Sequence, residues 1–177
     1  MDPAQVFGEG SHDEIAYAVG PSTLGAVLVA RRPAGVCAIL LGDSPERLRR
    51  ELGEIFPGAD LTRKDQALAR ELTAAVGLAD RPWAPFAPTL AIDGTDFQRR
   101  VWSAVQAVPP GETASYAEIA RRIGAPSALR AVAGACAANI LAIAIPCHRI
   151  LRSNGTLSGY RWGLERKRRL LEREKSC

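Results

Sequence analysis

Apolar positions early in the chain fall into the pattern of strands. Gly25–Arg32 (GAVLVARR) and Val36–Leu41 (VCAILL) are short β-rich runs, and Arg32-Pro33-Ala34-Gly35 between them reads as the turn of a hairpin. Glu14–Val19 is expected to add an edge strand before them. The period then lengthens to that of helices. Ser44 caps a helix with Pro45 at its first position, and the helix runs to about Phe56 and stops at Pro57-Gly58. A second helix fits Lys64–Val76, where Leu68, Leu72 and Val76 recur every fourth residue.

Ala79–Pro88 sets Trp83 and Phe86 among Pro82, Pro85 and Pro88, an ordered linker pinned by its aromatics. It predicts two parts: an N-terminal α+β supporting unit, 1–88, and a mostly helical domain, 89–177. A short strand, Thr89–Ile92, opens the second part. Thr95 caps a helix over Asp96–Ala107 that turns Phe97, Val101, Trp102 and Val105 inward, and Pro109-Pro110-Gly111 ends it. Ser115 caps Tyr116–Ile123, with Glu118 completing a capping box. Gly124-Ala125-Pro126 turns the chain, and Ser127 caps a third helix to about Asn139. Two helices across a short turn containing glycine make the helix-turn-helix pattern. The last helix is expected from near Gly163 to about Glu174.

Composition narrows the classes. The chain has 177 residues, 47% apolar and 24% charged, with mean hydropathy −0.04, as in an ordinary globular protein. Its longest apolar-leaning stretch, Val132–Cys147, is interrupted by Asn139 and Pro146 and falls short of the roughly 20 residues that span a bilayer. Met1–Gly10 lacks the basic start and apolar core of a signal sequence. Neither a membrane protein nor a secreted one is expected.

The cysteines, at 37, 136, 147 and 177, show no C-x-x-C spacing, and the histidines are His12 and His148 alone, so neither a structural zinc site nor a disulfide scaffold is expected. Cys37 reads as a small buried hydrophobe and Cys177 as idle. Charge is uneven: residues 1–88 carry 9 Lys and Arg against 12 Asp and Glu, and residues 89–177 carry 14 against 7. A basic second half suits a polyanion. Taken alone, Arg166–Arg169 and Arg173 read better as the solvated face of a last helix.

The second helix of the pair, Ala128–Ala138, holds seven Ala or Gly among eleven residues and one long polar side chain, Arg130. It has almost nothing with which to tell bases apart. Two readings stay open: an internal helix whose small residues allow close packing, or a sequence-indifferent DNA contact with Arg130 reaching into the duplex. The most specific local feature is Ile145-Pro146-Cys147-His148-Arg149-Ile150. A cysteine becomes nucleophilic beside positive charge or a hydrogen-bonded histidine, and His148 and Arg149 place both kinds of group next to Cys147. A chance Cys–His neighbour pair fits the local sequence as well. Asn139 is a candidate for holding the intervening loop by side-chain-to-backbone bonds.

Taken together, these residues resemble the O6-alkylguanine-DNA alkyltransferases. The likeness rests on Pro146-Cys147-His148-Arg149-Ile150, on Gly155–Gly163 (GTLSGYRWG), on Gly94-Thr95-x-Phe97-Gln98-x-x-Val101-Trp102 and on Pro110-Gly111-Glu112-Thr113-x-Ser115-Tyr116. Ala135-Cys136-Ala137-Ala138-Asn139 and Tyr160-Arg161-Trp162-Gly163 make it closest to the alkyltransferase domain of bacterial Ada-type proteins. The resemblance implies an α+β protein: a small ribonuclease H-like N-terminal unit, a sheet with helices, and a DNA-binding domain with a helix-turn-helix. It implies direct repair, in which Cys147 irreversibly takes the alkyl group from O6 of a flipped guanine, and from O4-alkylthymine as well.

By the same resemblance, His148 relays the thiol proton through water towards Glu174, Asn139 supports the turn, and Tyr116 assists the departing base. Arg130 fills the gap in the stack, and Ser115, Thr113, Ala131 and Gly134 join Tyr116 and Arg130 at the minor groove. Tyr160, Arg161, Trp162, Ser158 and Gly159 shape the substrate pocket. The implied partner is double-stranded alkylated DNA, bound without sequence preference by a cytoplasmic monomer, with no cofactor, metal, membrane or obligatory protein partner. Human-type members carry small residues where this chain has Arg161-Trp162, so a narrower pocket and poor reaction with O6-benzylguanine are expected. Alkyltransferase-like modules that merely bind lesions lack the acceptor cysteine, which is present here. An alternative is that the chain is the alkyltransferase part of an Ada-type adaptive-response regulator.

Overall fold

In the computed structural model, which describes residues 13–177, four strands build a mixed sheet. The strands are β1 (Glu14–Ser22), β2 (Gly25–Arg32), β3 (Gly35–Gly42) and β4 (Asp60–Arg63), in the order β3-β2-β1-β4. The readings of Met1–Gly10 and of His12 lie outside the described residues. β2 and β3 form the hairpin expected of their apolar runs, antiparallel from Ala26↔Gly42 to Arg32↔Gly35. β1 is antiparallel to β2 but is not an edge: β4 lies parallel along its other side, from Glu14↔Asp60 to Tyr17↔Arg63.

That extra strand also moves a helix. α1 (Pro45–Ile55) starts where the capping signal puts it, with Ser44 Oγ accepting from the Arg47 N–H at 3.3 Å. The chain then returns along β1, and the Lys64 N–H donates to the Tyr17 carbonyl at 2.8 Å. Asp65 Oδ1 accepts from the Val19 N–H at 3.2 Å. With both residues committed to the sheet, α2 (Ala69–Asp80) begins later than the apolar spacing suggests.

The second half hangs on the outer side of β3. An exposed strand edge invites unwanted pairing, and here it is covered. The Val36 N–H donates to the Thr89 carbonyl and the Ala91 N–H to the Val36 carbonyl, each at 2.8 Å. Further along, the Ile39 N–H donates to the Ile140 carbonyl at 2.8 Å and the Ala142 N–H to the Ile39 carbonyl at 3.0 Å. The strand expected at Thr89–Ile92 is therefore a single bridge, Val36↔Leu90. Gly35 permits this approach: its φ is +143°, and a Cβ there would lie 2.5 Å from the Thr89 carbonyl oxygen.

The remaining helices are α3 (Asp96–Gln106), α4 (Tyr116–Arg122), α5 (Leu129–Ala137) and α6 (Leu164–Glu174). A short parallel pair, β5 (Ala114–Ser115) and β6 (Ile150–Leu151), leads into α4 and follows the Cys147 turn. Thr95 and Gln98 form a full capping box on α3, whereas Ser115 provides one side-chain cap, to the Glu118 N–H at 3.0 Å. α5 begins without a side-chain cap, because residues 125–128 are held in a turn by the Ala128 N–H on the Ala125 carbonyl at 2.9 Å. Trp102 Nε1–H donates to the Ala135 carbonyl at 2.8 Å and ties α3 to α5. Buried side chains from both halves form one continuous core. Among the described residues, no helix is long and apolar enough to cross a membrane.

Candidate active site

The segment from Asn139 to Arg149 is shaped by its own bonds as well as by β3. Asn139 Nδ2 donates to the Ile145 carbonyl at 2.9 Å, and Asn139 Oδ1 accepts from the Leu141 N–H at 2.8 Å. Between them Ile143 is held at φ 68°, a left-handed conformation that a β-branched residue adopts only when its surroundings enforce it. Cys147 then enters a single 3-10 turn, Cys147–Arg149, with its N–H on the Ile145 carbonyl at 2.8 Å.

Cys147 is 5% exposed at the floor of a cavity of about 640 Å³. Tyr116 from α4, Arg130 from α5, and Ser158, Gly159, Tyr160 and Arg161 from the loop before α6 line the same cavity. Ser158 Oγ donates to Tyr116 Oη at 2.9 Å, so the phenolic hydrogen is not used in that bond. Trp162 does not line the cavity. It is buried behind Tyr160, edge-on to that ring with centroids 5.3 Å apart, so it supports the wall rather than forming it. Thr113, Ser115, Ala131 and Gly134 also stand outside the cavity lining.

Behind Cys147 lies a buried charge network. His148 Nε2 and Glu174 Oε1 are 2.8 Å apart, and Arg149 grips the same carboxylate through Nε at 3.0 and 3.1 Å and Nη2 at 2.7 Å. Arg149 Nη1 also donates to the Val108 carbonyl at 2.8 Å. Burial alone would raise the Glu174 carboxyl, but hydrogen bonds from His148 and Arg149 hold it down at about 2. An ionised Glu174 accepts the Nε2–H of a neutral imidazole, so Nδ1 carries the lone pair. Nδ1 is buried and has no hydrogen-bond partner among the described residues. Burial lowers the His148 pKa against the pull of Glu174, so the ring is neutral at pH 7.

The charge beside Cys147 is not the one expected from the sequence. Arg149 is spent on Glu174. Cys147 is held above its ordinary value, by a hydrogen bond with Cys136 and then by burial, with Asn139 and Lys167 pulling the other way. It rests as a thiol and needs a base. Two residues that sequence reasoning left without a role stand here. Cys136, on the cavity side of α5, shares that hydrogen bond and is lowered by it. Lys167 is 0% exposed, with Nζ 2.6 Å from the Ile150 carbonyl and 3.1 Å from that of Ser158, and burial lowers it to about 8.

Lys167 also corrects the reading of Arg166–Arg169 as a solvated face. The spacing Lys167, Leu170, Glu174 marks the buried stripe of α6 and was the available signal. Arg166 Nε donates to the Leu24 carbonyl at 2.7 Å, and Arg173 Nη1 donates to the Ala79 carbonyl, so the helix clamps the first half of the chain.

α5 resolves the choice between an internal helix and an outward one. Val132 and Ala135 face the core, while Leu129, Arg130, Ala131, Ala133, Gly134 and Ala137 are exposed. A Cβ on Gly134 would meet nothing within 4 Å, and Arg130 has no hydrogen-bond or ion-pair partner among the described residues. The small residues form an outer surface beside the cavity mouth. Among the described residues, no three His, Cys, Asp or Glu side chains converge as metal ligands would.

Comparison with known proteins fits this arrangement. The family described as 6-O-methylguanine DNA methyltransferase, DNA binding domain, matches residues 96–176. The Escherichia coli bifunctional transcriptional activator/DNA repair enzyme Ada is 49% identical over 98% of this chain and 49% of its own. The methylated-DNA–protein-cysteine methyltransferase of Mycobacterium bovis is 56% identical over 49% of this chain and 53% of its own. The chain thus spans about half the length of the curated relatives it matches. The crystal structure of Mycobacterium tuberculosis OGT in complex with DNA superimposes with a TM-score of 0.73 at 36% identity, covering 91% of this chain and 93% of that one. With a third of its residues shared across nearly all of that protein, and a family match that runs through the Cys147 turn to the Glu174 network, the chain belongs to the O6-methylguanine-DNA methyltransferase family.

Proposed function

We propose that the protein repairs alkylated DNA by moving the alkyl group of O6-alkylguanine, methyl above all, onto its own Cys147. The observation that carries this reading is a thiol at the floor of an open cavity, backed by a buried histidine whose tautomer is fixed by an ionised carboxylate. The thiol proton passes to Nδ1 of His148 through a bridging water. The sulfur attacks the alkyl carbon, the carbon–O6 bond breaks, and its electron pair leaves with the guanine. The phenolic hydrogen of Tyr116, not used in the bond with Ser158, stabilises that departing charge. O4-alkylthymine presents the same reacting group.

The departing guanine anion gains one proton, equal to the one the thiol gave up to His148, so the products are neutral guanine and a thioether. No water resolves a thioether as it would an acyl-enzyme, so each molecule acts once. Titrating a duplex that contains one O6-methylguanine should therefore give repair that stops at one lesion per protein, and continued turnover beyond that would overturn the reading.

The target atom is unreachable inside a duplex, so the base must be flipped out. Supporting this, α5 carries an exposed Ala and Gly face with Arg130 unpaired at the cavity; in this reading α4 and α5 act as a helix-turn-helix laid along the minor groove, where Ser115 and Thr113 join them. Arg130→Ala should weaken duplex binding and flipping by roughly tenfold, equally across flanking sequences, because a phosphate or stack contact carries no base readout. Gel-shift titration against several flanking sequences checks this, and a changed preference would contradict it. In this reading residues 1–88 support the reacting domain, 89–177.

The transfer rate should also fall with acidity. A protonated His148 cannot accept the thiol proton, and its pKa lies below the ordinary 6.5. Single-turnover rates should stay level from pH 8 down to the ordinary histidine range and drop below it. Escherichia coli and Mycobacterium relatives support a bacterial cytoplasmic setting. Identity to Ada along nearly the whole chain favours a second reading, the same chemistry serving within an adaptive-response regulator.

A further inference from the structure

One wall of the cavity is held by a residue from the first half of the chain. Arg161 lines the cavity that contains Cys147, and its Nε lies 3.3 Å from Oε1 of Glu51 on α1, 110 positions earlier in the chain. Its Nη1 donates to the carbonyl of Ala137, the last residue of α5, at 3.2 Å. A helix end offers unpaired carbonyls and a partial negative charge, so it is a natural seat for a guanidinium. The two acceptors come from different halves of the chain. Arg161 is thereby stretched as a bar between α1 and the end of α5.

The pair is partly exposed, the Arg161 side chain to 28% and that of Glu51 to 29%. A long side chain bonded to two separate acceptors swings aside less readily than a free surface arginine. Any group on the reacting oxygen that is larger than methyl needs space in the same cavity. The fixed guanidinium and its stem take part of that space, with Tyr160 next to it braced from behind by Trp162.

We infer that Glu51 is a positioning residue for substrate size: by fixing Arg161 across the cavity it limits the alkyl groups that can reach Cys147. The inference rests on the alkyl-transfer reading above and gives the first half of the chain a part in selectivity. Glu51 reaches the substrate only through Arg161.

The test measures single-turnover rate constants on two duplexes that differ only in carrying O6-methylguanine or O6-benzylguanine. Glu51→Ala and the near-isosteric Glu51→Gln should each raise the benzyl-to-methyl ratio, by about tenfold for Glu51→Ala, the discrimination that a small change in pocket volume commonly supports. Arg161→Ala should raise the ratio at least as much, and adding Glu51→Ala to it should raise it no further, since both act through one bar. A merely structural role for Glu51 would slow both substrates and leave the ratio where it was. An unchanged ratio in both Glu51 variants, or an additive double variant, overturns the inference. If the unaltered protein repairs neither duplex, the alkyl-transfer reading itself fails, and that outcome is distinct from the other two.

Discussion

Cys147→Ser should reduce transfer from O6-methylguanine DNA to background while duplex affinity stays within about twofold of the parent. In the proposed reaction the sulfur makes the bond, and a serine hydroxyl in the same buried place is a far weaker nucleophile towards an alkyl carbon, with a proton much harder to remove than a thiol's. The groups proposed to face DNA do not depend on the thiol: Arg130 and the small residues of α5 are exposed at the rim of the cavity, and Cys147 is buried at its floor. Gel-shift and transfer assays on one preparation separate the two properties. Loss of both would mean that the turn collapses without the thiol and would weaken the assignment of Cys147 as acceptor.

Glu174→Gln should have the second-largest effect, and on two quantities at once. The carboxylate fixes the imidazole with its lone pair at Nδ1. An amide can present its NH2 to Nε2 instead, stabilising the wrong tautomer, so the rate should fall by ~10²–10⁴-fold. The same change strands Arg149, which now has two oxygens of Glu174 within 3.1 Å or less. Removing one partner of a buried pair typically destabilises by about 3–5 kcal/mol, because the other charge stays buried without compensation.

The pH signature follows from the direction of the shift. Folding lowers Glu174 from its ordinary 4.5 to about 2, so its contribution to stability is complete above 4.5 and is lost as pH falls through about 2. In Glu174→Gln that contribution is missing at neutral pH. Denaturant unfolding of the two proteins should therefore differ most near pH 7 and converge in acid. A variant as stable as the parent at pH 7 would contradict this account of the network.

Which parts of this were legible in the sequence follows from how local each cause is. The β2–β3 hairpin and α1 are written in short-range signals, apolar runs around a turn and a Ser44-Pro45 cap, and both form there. β4 reads Asp60-Leu61-Thr62-Arg63, a polar segment with no strand pattern, and becomes a strand only by lying beside β1. α2 then starts late, since Lys64 and Asp65 bind the sheet. Neither outcome has a local signal. Cys147, His148 and Asn139 were visible as chemistry because they sit within nine residues of one another.

Lys167 was masked by the basic run around it. Only the burial of one face of α6 separates it from Arg166, Arg168 and Arg169. Adjacency to Cys147 suggests the thiol as the partner of Arg149, but a carboxylate 25 residues away takes it. The Glu51–Arg161 bar spans 110 residues and depends on how α1, α5 and the loop before α6 pack, which no spacing rule encodes.

The most direct measurement is mass analysis of the cysteine peptides after the protein has met an equal amount of duplex carrying O6-methylguanine. One methyl group on the peptide containing Cys147, none on those containing Cys37, Cys136 or Cys177, and an equal amount of restored guanine is the expected result. Restored guanine with an unmodified Cys147 would contradict the account.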